Sequence, residues 1–515
     1  MILGILFIVL ILFFCQYLCC IPLNWHSAGF LFELMIVLLI AYLSVVGYSP
    51  DTKDKKKILK LSYFPIIVIA AFLIIILIGT PYTGGLHNYK GQSKIKESDF
   101  SEIPQFDATQ VQLVDKDTAQ QLGDRVFGTL GSDEVSQYAV GDDWVQISMN
   151  GRLYRVTPID FGGLYRYFVT KQTPGYIVVD CYSGEAKLVR SEGLKYMKSA
   201  YFSQNLHRHL FFNDPFAILG SPKFELDDEG RPFWVTPVLN VTWVGKTRDV
   251  KGIYVTDPTN GQDTYYAKAD VPSWVDNVYP ISVIYDQFRQ TKRYENGLFN
   301  WAKKGIVEFT DDYAYVQFDD DVHIYTGVTS VGKDESNVGF AYVDLKSGEI
   351  SYIRRAGAEE YSARSSAEGA LQQYHYTAIF PSMVNVSGRP TYFMGLVDGA
   401  NLIKSYAFVS YENYQLVATG QTVDEAYNNY LRLTSADGRD DVDTSEMTIT
   451  VEDIEMVVRD GNTLVVIQDP DGSIFHYSMA DGDLRMSFVK QGDTLKVLSD
   501  QEGRIRQLLS LQHAE

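Results

Sequence analysis

Cysteine is scarce, at 4 in 515 residues. Cys15, Cys19 and Cys20 lie in the first apolar segment, so Cys181 stands alone in the remainder and no intrachain disulfide framework can hold that part together. Positive charge is also short: 45 Lys and Arg against 64 Asp and Glu give a net charge of -19. Without a basic face for phosphates, nucleic acid is excluded as a partner. Motifs that carry chemistry are missing as well. No G-x-S-x-G occurs, and Cys181 has no nearby His in sequence, so no nucleophile with an adjacent base is visible. His207 and His209 are two apart, a spacing that does not bring them to one face of a helix for a shared metal. Asp319, Asp320 and Asp321 before His323, and Asp227, Asp228 and Glu229 before Gly230, lack the alternating spacing of a calcium loop. Gly327 to Lys333 matches the first seven positions of a phosphate-binding loop, but Asp334 replaces the hydroxyl residue that would hold magnesium. The sequence therefore assigns no catalytic, no cofactor-binding and no metal-ligating residue. Nothing in the spacing of the acidic residues picks out a hydrolytic pair.

What is present is aromatic and repetitive. Tyr 35 and Phe 28 in a chain of 21% charged residues indicate a folded, β-rich protein, and 515 residues exceed one ordinary core. One pattern is written three times: Gly175 to Val189, Gly252 to Tyr266 and Gly339 to Ile353 each run from Gly through an apolar strand to Asp, a Gly-containing turn, and Glu or Gln. Asp180, Asp257 and Asp344 open the turn by side-chain bonding to the backbone, and Gly184, Gly261 and Gly348 supply the positive φ that closes it. A second device, Gly-Arg-Pro before an aromatic strand, occurs at Gly230 and Gly388.

The amino-terminal region carries three apolar runs, Ile2 to Leu23, Phe30 to Val46 and Leu61 to Gly79, each of a length expected of a transmembrane helix. Lys53 to Lys60 between the second and third predicts a cytoplasmic amino terminus, with everything beyond Gly79 extracellular. The expected domains are a three-helix anchor at 1–80, a linker at 81–105, α+β modules at 106–250 and 251–434, a linker at 435–445 and a small β-barrel of OB or SH3-like type at 446–515. Helices are expected at Lys195 to Leu210, Tyr279 to Tyr294, Glu359 to Gln373 and Thr422 to Leu433, with Asp115 or Asp117 capping an earlier one that ends near Gly128. The fold class expected is thus α+β, with repeated hairpin-helix modules behind a membrane anchor.

The D-x-x-[ST]-G-[EQ] turn at Asp180 and Asp344, followed by strands and a helix, resembles the PepSY type of extracytoplasmic module; the copy at Asp257 departs with Asn260 and Gln262. Asp115 to Arg125, Tyr325 to Ser330, Tyr361 to Gly369 and Gly388 to Met394 resemble a family of multi-helix membrane proteins of Gram-positive bacteria. That resemblance implies topology and modules and carries no catalytic residues over. Duplicated modules without a nucleophile, metal cluster or cofactor loop, behind the anchor, lead to the expectation of a membrane-embedded, non-catalytic envelope protein with no cofactor that binds a protein, peptide or cell-wall partner or regulates a peptidase. A cell-surface hydrolase with a sequence-distant acidic pair, or an accessory subunit of a membrane complex, are the alternatives.

Overall fold

Three Asp-to-Gly turns with the same hydrogen bonds punctuate the computed structural model, which describes residues 13–48, 63–75, 95–107, 112, 114–242, 246–296, 304–318, 321–330, 337–436, 445–459, 462–479, 484–499 and 505–513. In each, the Gly N–H donates to the Asp carbonyl four residues back, at 2.9 Å for Gly184, 2.8 Å for Gly261 and 2.9 Å for Gly348. The Asp side chain accepts a backbone N–H two residues on, from Tyr182, Thr259 and Lys346. The three glycines sit at φ of +70°, +77° and +73°, a region that costs a residue with Cβ but not glycine.

The chain forms two compact units, Met1–Gln415 and Leu416–Glu515. In the first, one sheet joins Tyr138–Val140, Val145–Met149, Arg152–Phe161, Thr173–Asp180 and Ala186–Leu194, and a second orders Asp263–Ala267, Lys246–Thr256, Pro232–Thr242 and Lys223–Leu226. A third is built on Asp321–Ser330 and Asn337–Asp344, flanked by Ile350–Ile353, Val307–Phe309 and Ala314–Phe318. Ile95–Glu97, which reads as part of a tether in the sequence, adds a parallel strand along Ile350–Ile353. In a fourth sheet Arg389–Val397 pairs with Thr377–Ala378, Ser382–Val386 and Ile403–Ser410.

Asn337–Asp344 is buried on both faces. Ala341 and Val343 join a core with Ile324, Phe288 and Val255. Phe340 and Tyr342 point the other way into rings of Tyr325, Tyr411 and Phe318. A strand covered on both sides reads as a near-continuous apolar run, which is why the sequence Gly339 to Val343 shows little alternation.

In the second unit, strands Asp453–Arg459, Asn462–Gln468 and Ile474–Ser478 form one three-stranded sheet, and Ser445–Thr450, Thr494–Ser499 and Ile505–Gln512 form another. Ile449, Val465, Ile467, Leu495 and Val497 share their core. Among the described residues the expected small barrel is instead two three-stranded sheets. Short turns let the middle strands pair locally, while Ser445–Thr450 pairs with Thr494–Ser499 across the intervening chain.

Two larger corrections concern the fold class and the anchor. Among the described residues strand outweighs helix, 39% to 29%, so the architecture is mainly β with several sheets and not α+β behind three membrane helices. Among the described residues no helix is long and apolar enough to cross a membrane. Ala28–Tyr48 carries Glu33, hydrogen-bonded by Gln16 Nε2. The end of the first apolar run docks on the β-rich unit: Arg208 Nε donates to Tyr17 O at 2.8 Å, Leu23 N to Pro215 O at 2.7 Å, and Asn24 Nδ2 to Phe216 O at 2.9 Å. The three-helix anchor, the multi-pass location and the inside-outside topology are therefore not supported. The lysine run 53–60 lies outside the described residues, as do most of the expected linkers.

Candidate active site

Several segments far apart in sequence meet around a cavity of about 530 Å³ in the first unit. The first is the start of the helix Lys116–Phe127, where the Asp115 side chain accepts the Thr118 N–H at 2.8 Å and Gly128 ends the helix. That helix seats Trp144, whose indole Nε1 donates to Gln120 Oε1 at 2.7 Å. The indole lies against Gly123, where a Cβ would stand 2.5 Å from the ring. Trp144 and Asp143 lead into Val145–Met149, and Arg155 comes from the adjacent strand Arg152–Phe161. Lys223 opens the second sheet, Asp312, Tyr313 and Tyr315 come from the third, and Arg364, Phe380, Phe393 and Asn401 complete the wall.

The lining brings together Asp115, Asp117, Asp143 and Asp312 with Lys116, Arg155, Lys223 and Arg364. Asp143 is the best defined of the acids. Lys198 Nζ lies 2.6 Å from its Oδ2 and Lys223 Nζ 3.3 Å from its Oδ1. Burial pushes its carboxyl up, but the two ammonium groups outweigh burial and hold it below the usual carboxylate range. Asp143 is thus an anion at neutral pH. Asp312 faces the same space from an exposed turn. Tyr313 and Tyr315 stay neutral, since burial pushes both phenols up.

A second acidic pair lies nearby and is sealed. Glu225 is 0% and Asp276 2% exposed. Glu225 accepts the backbone N–H groups of Asp276 at 2.9 Å and Asn277 at 3.1 Å, and Asp276 Oδ2 accepts that of Ser148 at 2.6 Å. Burial pushes Glu225 up to about 7, and burial together with the Glu225 charge drives Asp276 up. Two carboxylates with raised pKa values are a signature of acid-base sites. This pair, however, does not line the cavity and meets backbone amides where a substrate would have to sit, so its role is to lock the 274–280 segment onto two sheets.

The residues singled out by spacing fall elsewhere. His209, on the helix Leu206–Asn213, pairs with Asp263 at 2.9 Å, and that hydrogen bond raises its pKa against the effect of burial; His207 takes no part. Asp227 caps a hairpin turn, accepting from Arg231 N at 2.8 Å and Arg231 Nε at 2.7 Å. Cys181 is fully buried, and burial pushes its thiol up to about 12, which rules it out as a nucleophile. Gly327 lies within the strand Asp321–Ser330, packed against Glu360, and not in a phosphate loop; Lys333, Asp334, Asp319 and Asp320 lie outside the described residues. No group of three metal-ligating side chains occurs among the described residues.

No protein-family model and no curated protein matches the chain. The resemblance to PepSY modules and Gram-positive membrane proteins therefore rests on the residues quoted for it. Among solved structures, an endo-arabinase from Bacteroides thetaiotaomicron aligns at 12% identity over 49% of this chain and 69% of its own, with a TM-score of 0.16. A B. megaterium levansucrase mutant aligns at 8% identity over 81% and 98%, TM-score 0.18, and a GH43_1 enzyme from Xanthomonas citri at 10% over 75% and 95%, TM-score 0.16. Scores this low do not establish a shared fold. The expectation of a membrane-anchored, non-catalytic binder is nonetheless overturned: the anchor is not there among the described residues, and acids, bases and aromatic rings converge on one cavity.

Proposed function

We propose that the protein is a hydrolase that cleaves a saccharide substrate in this cavity. The observation that carries the reading is the convergence of Asp143 and Asp312, from segments far apart in sequence, on a space walled by Trp144, Tyr313 and Tyr315 and rich in hydrogen-bonding groups. Sugars present apolar C–H faces and dense hydroxyls, which aromatic walls and charged side chains together accommodate. Cleavage of a glycosidic bond through a cation-like transition state uses one ionised carboxylate and one proton-donating carboxyl. Asp143, held ionised by Lys198 and Lys223, takes the anionic role, stabilising positive charge at the anomeric carbon or activating the attacking group. Asp312, exposed and facing the same space, takes the place of the second carboxyl beside the leaving oxygen.

The test is the release of reducing ends from a panel of neutral and acidic aryl glycosides and oligosaccharides by the full chain. At least one class should be cleaved, and Asp312→Asn should lower kcat by about 10³-fold. Its melting temperature should not change, since the side chain is exposed. Silence across the panel, or an unaltered rate in the variant, would overturn the reading.

A further inference from the structure

Arg155 is 5% exposed yet has no carboxylate partner among the described residues. Its Nε donates to Val114 O at 3.2 Å and its guanidinium lies over the Tyr315 ring at 5.3 Å, while its two Nη groups have no protein acceptor among the described residues. Each titratable group that senses Arg155 is itself neutral. Burial pushes up the Cys181 thiol and the phenols of Tyr313 and Tyr315, so none supplies a counter-charge. Asp143, an ionised acid of the same lining, is already claimed by Lys198 and Lys223. A buried, permanently charged group without a counterion among the described residues is costly, and in a protein of net charge -19 it is conspicuous. Arg155 lines the cavity. Gln112, on the same wall, has a buried Oε1 that no donor among the described residues satisfies. The cavity wall therefore offers an unpaired planar cation beside an unused acceptor, on aromatic surface.

We infer that the ligand of this cavity bears a carboxylate, which the Arg155 guanidinium binds as its missing counterion, with Gln112 Oε1 accepting from a neighbouring hydroxyl. The planar fork of arginine suits two parallel hydrogen bonds to a carboxylate. The acids Asp115, Asp117, Asp143 and Asp312 around the same space favour a single negative charge over the two of a phosphate ester. Joined to the reading above, on which this step rests, the substrate becomes an acidic saccharide carrying a uronate.

Binding of glucuronate and galacturonate to the full chain, measured by calorimetry beside glucose, galactose, an acetylated dipeptide with a free carboxyl terminus and inorganic phosphate, tests it. Uronates should bind at least tenfold more tightly than the neutral sugars. Arg155→Met should erase that preference, and Arg155→Lys should restore part of it, because a point charge remains without the fork. Thermal melts of both variants separate loss of binding from loss of fold. Equal affinity for acidic and neutral sugars, no binding by any carboxylate, tighter binding of phosphate than of any carboxylate, or full preference in folded Arg155→Met would overturn the inference. A preference for the dipeptide would uphold the carboxylate and sink the saccharide. Binding of uronates without cleavage of any glycoside would leave the inference standing and remove the hydrolase, whereas cleavage of neutral glycosides without uronate preference would do the reverse.

Discussion

Glu360→Ala should destabilise the first unit by about 4 kcal/mol, read as a shift of its denaturation midpoint, and Glu360→Gln by less than half of that. Glu360 is 4% exposed at the start of the helix Glu360–Ala370. Its Oε1 accepts from Tyr325 OH at 2.8 Å and its Oε2 from Asn337 Nδ2 at 3.2 Å. Tyr392 closes the cluster, its OH 3.3 Å from Asn337 Nδ2 and donating to Ala358 O at 2.8 Å. One carboxyl thus ties the helix to Asp321–Ser330 and Asn337–Asp344, and through Asn337 to Arg389–Val397. Alanine opens a void and removes the acceptor of Tyr325 OH and Asn337 Nδ2, leaving both to the more distant Tyr392 hydroxyl at 3.5 Å and 3.3 Å. Glutamine keeps one oxygen for Tyr325, and because burial already raises the pKa of Glu360 toward the neutral form, the amide is a fair replacement. Equal losses in the two variants would show that volume, and not hydrogen bonding, holds the cluster.

The second large effect is on the pH dependence of stability. Glu225 goes from an ordinary value of 4.5 to about 7 on folding. A raised folded pKa means stability that is fully present below 4.5 and is lost as pH climbs through about 7, a difference on the order of 3 kcal/mol from this pair. His209 acts in the same sense at higher pH: Asp263 raises its pKa above 6.5, so its contribution is present below that value and fades above it. Asp143 and Asp263 are depressed, and their contributions disappear only as pH falls below the ordinary 3.8. Melting temperature should therefore peak near pH 5 and decline toward pH 8. Asp276→Asn keeps an oxygen for the Ser148 N–H and removes the charge facing Glu225. It should flatten the decline and exceed the wild type in stability above pH 7. Parallel curves for variant and wild type would contradict this account of the pair.

These effects bear on what the sequence could disclose. The Asp-to-Gly turns at Asp180, Asp257 and Asp344 were legible because a side chain reaching two residues on and a glycine at positive φ are local devices that leave a fixed spacing. The helices Lys116–Phe127, Ile281–Tyr294 and Glu360–Ala370 were legible for a similar reason, through a cap or an apolar stripe. Apolar runs at the amino terminus misled, since length and hydropathy alone do not reveal that Tyr17, Leu23 and Asn24 bond to the 208–216 segment. The site was illegible altogether. Asp143, Arg155, Lys223 and Asp312 come together only because strands pair across the fold, and no spacing in the chain encodes that meeting. Gly327 carried a signal of another kind: it resembled the start of a phosphate loop, while its actual constraint is Glu360, whose Oε1 would lie 2.2 Å from any Cβ there.

The cavity and the sealed pair make opposite claims about which carboxylates do chemistry, and turnover by Asp143→Asn and Asp276→Asn, measured on whichever glycoside the full chain cleaves, separates them. The cavity reading predicts a loss of about 10³-fold in kcat for Asp143→Asn and a near wild-type rate for Asp276→Asn. A collapse of activity in Asp276→Asn, with Asp143→Asn still active, would place the reaction at the buried pair and contradict the account.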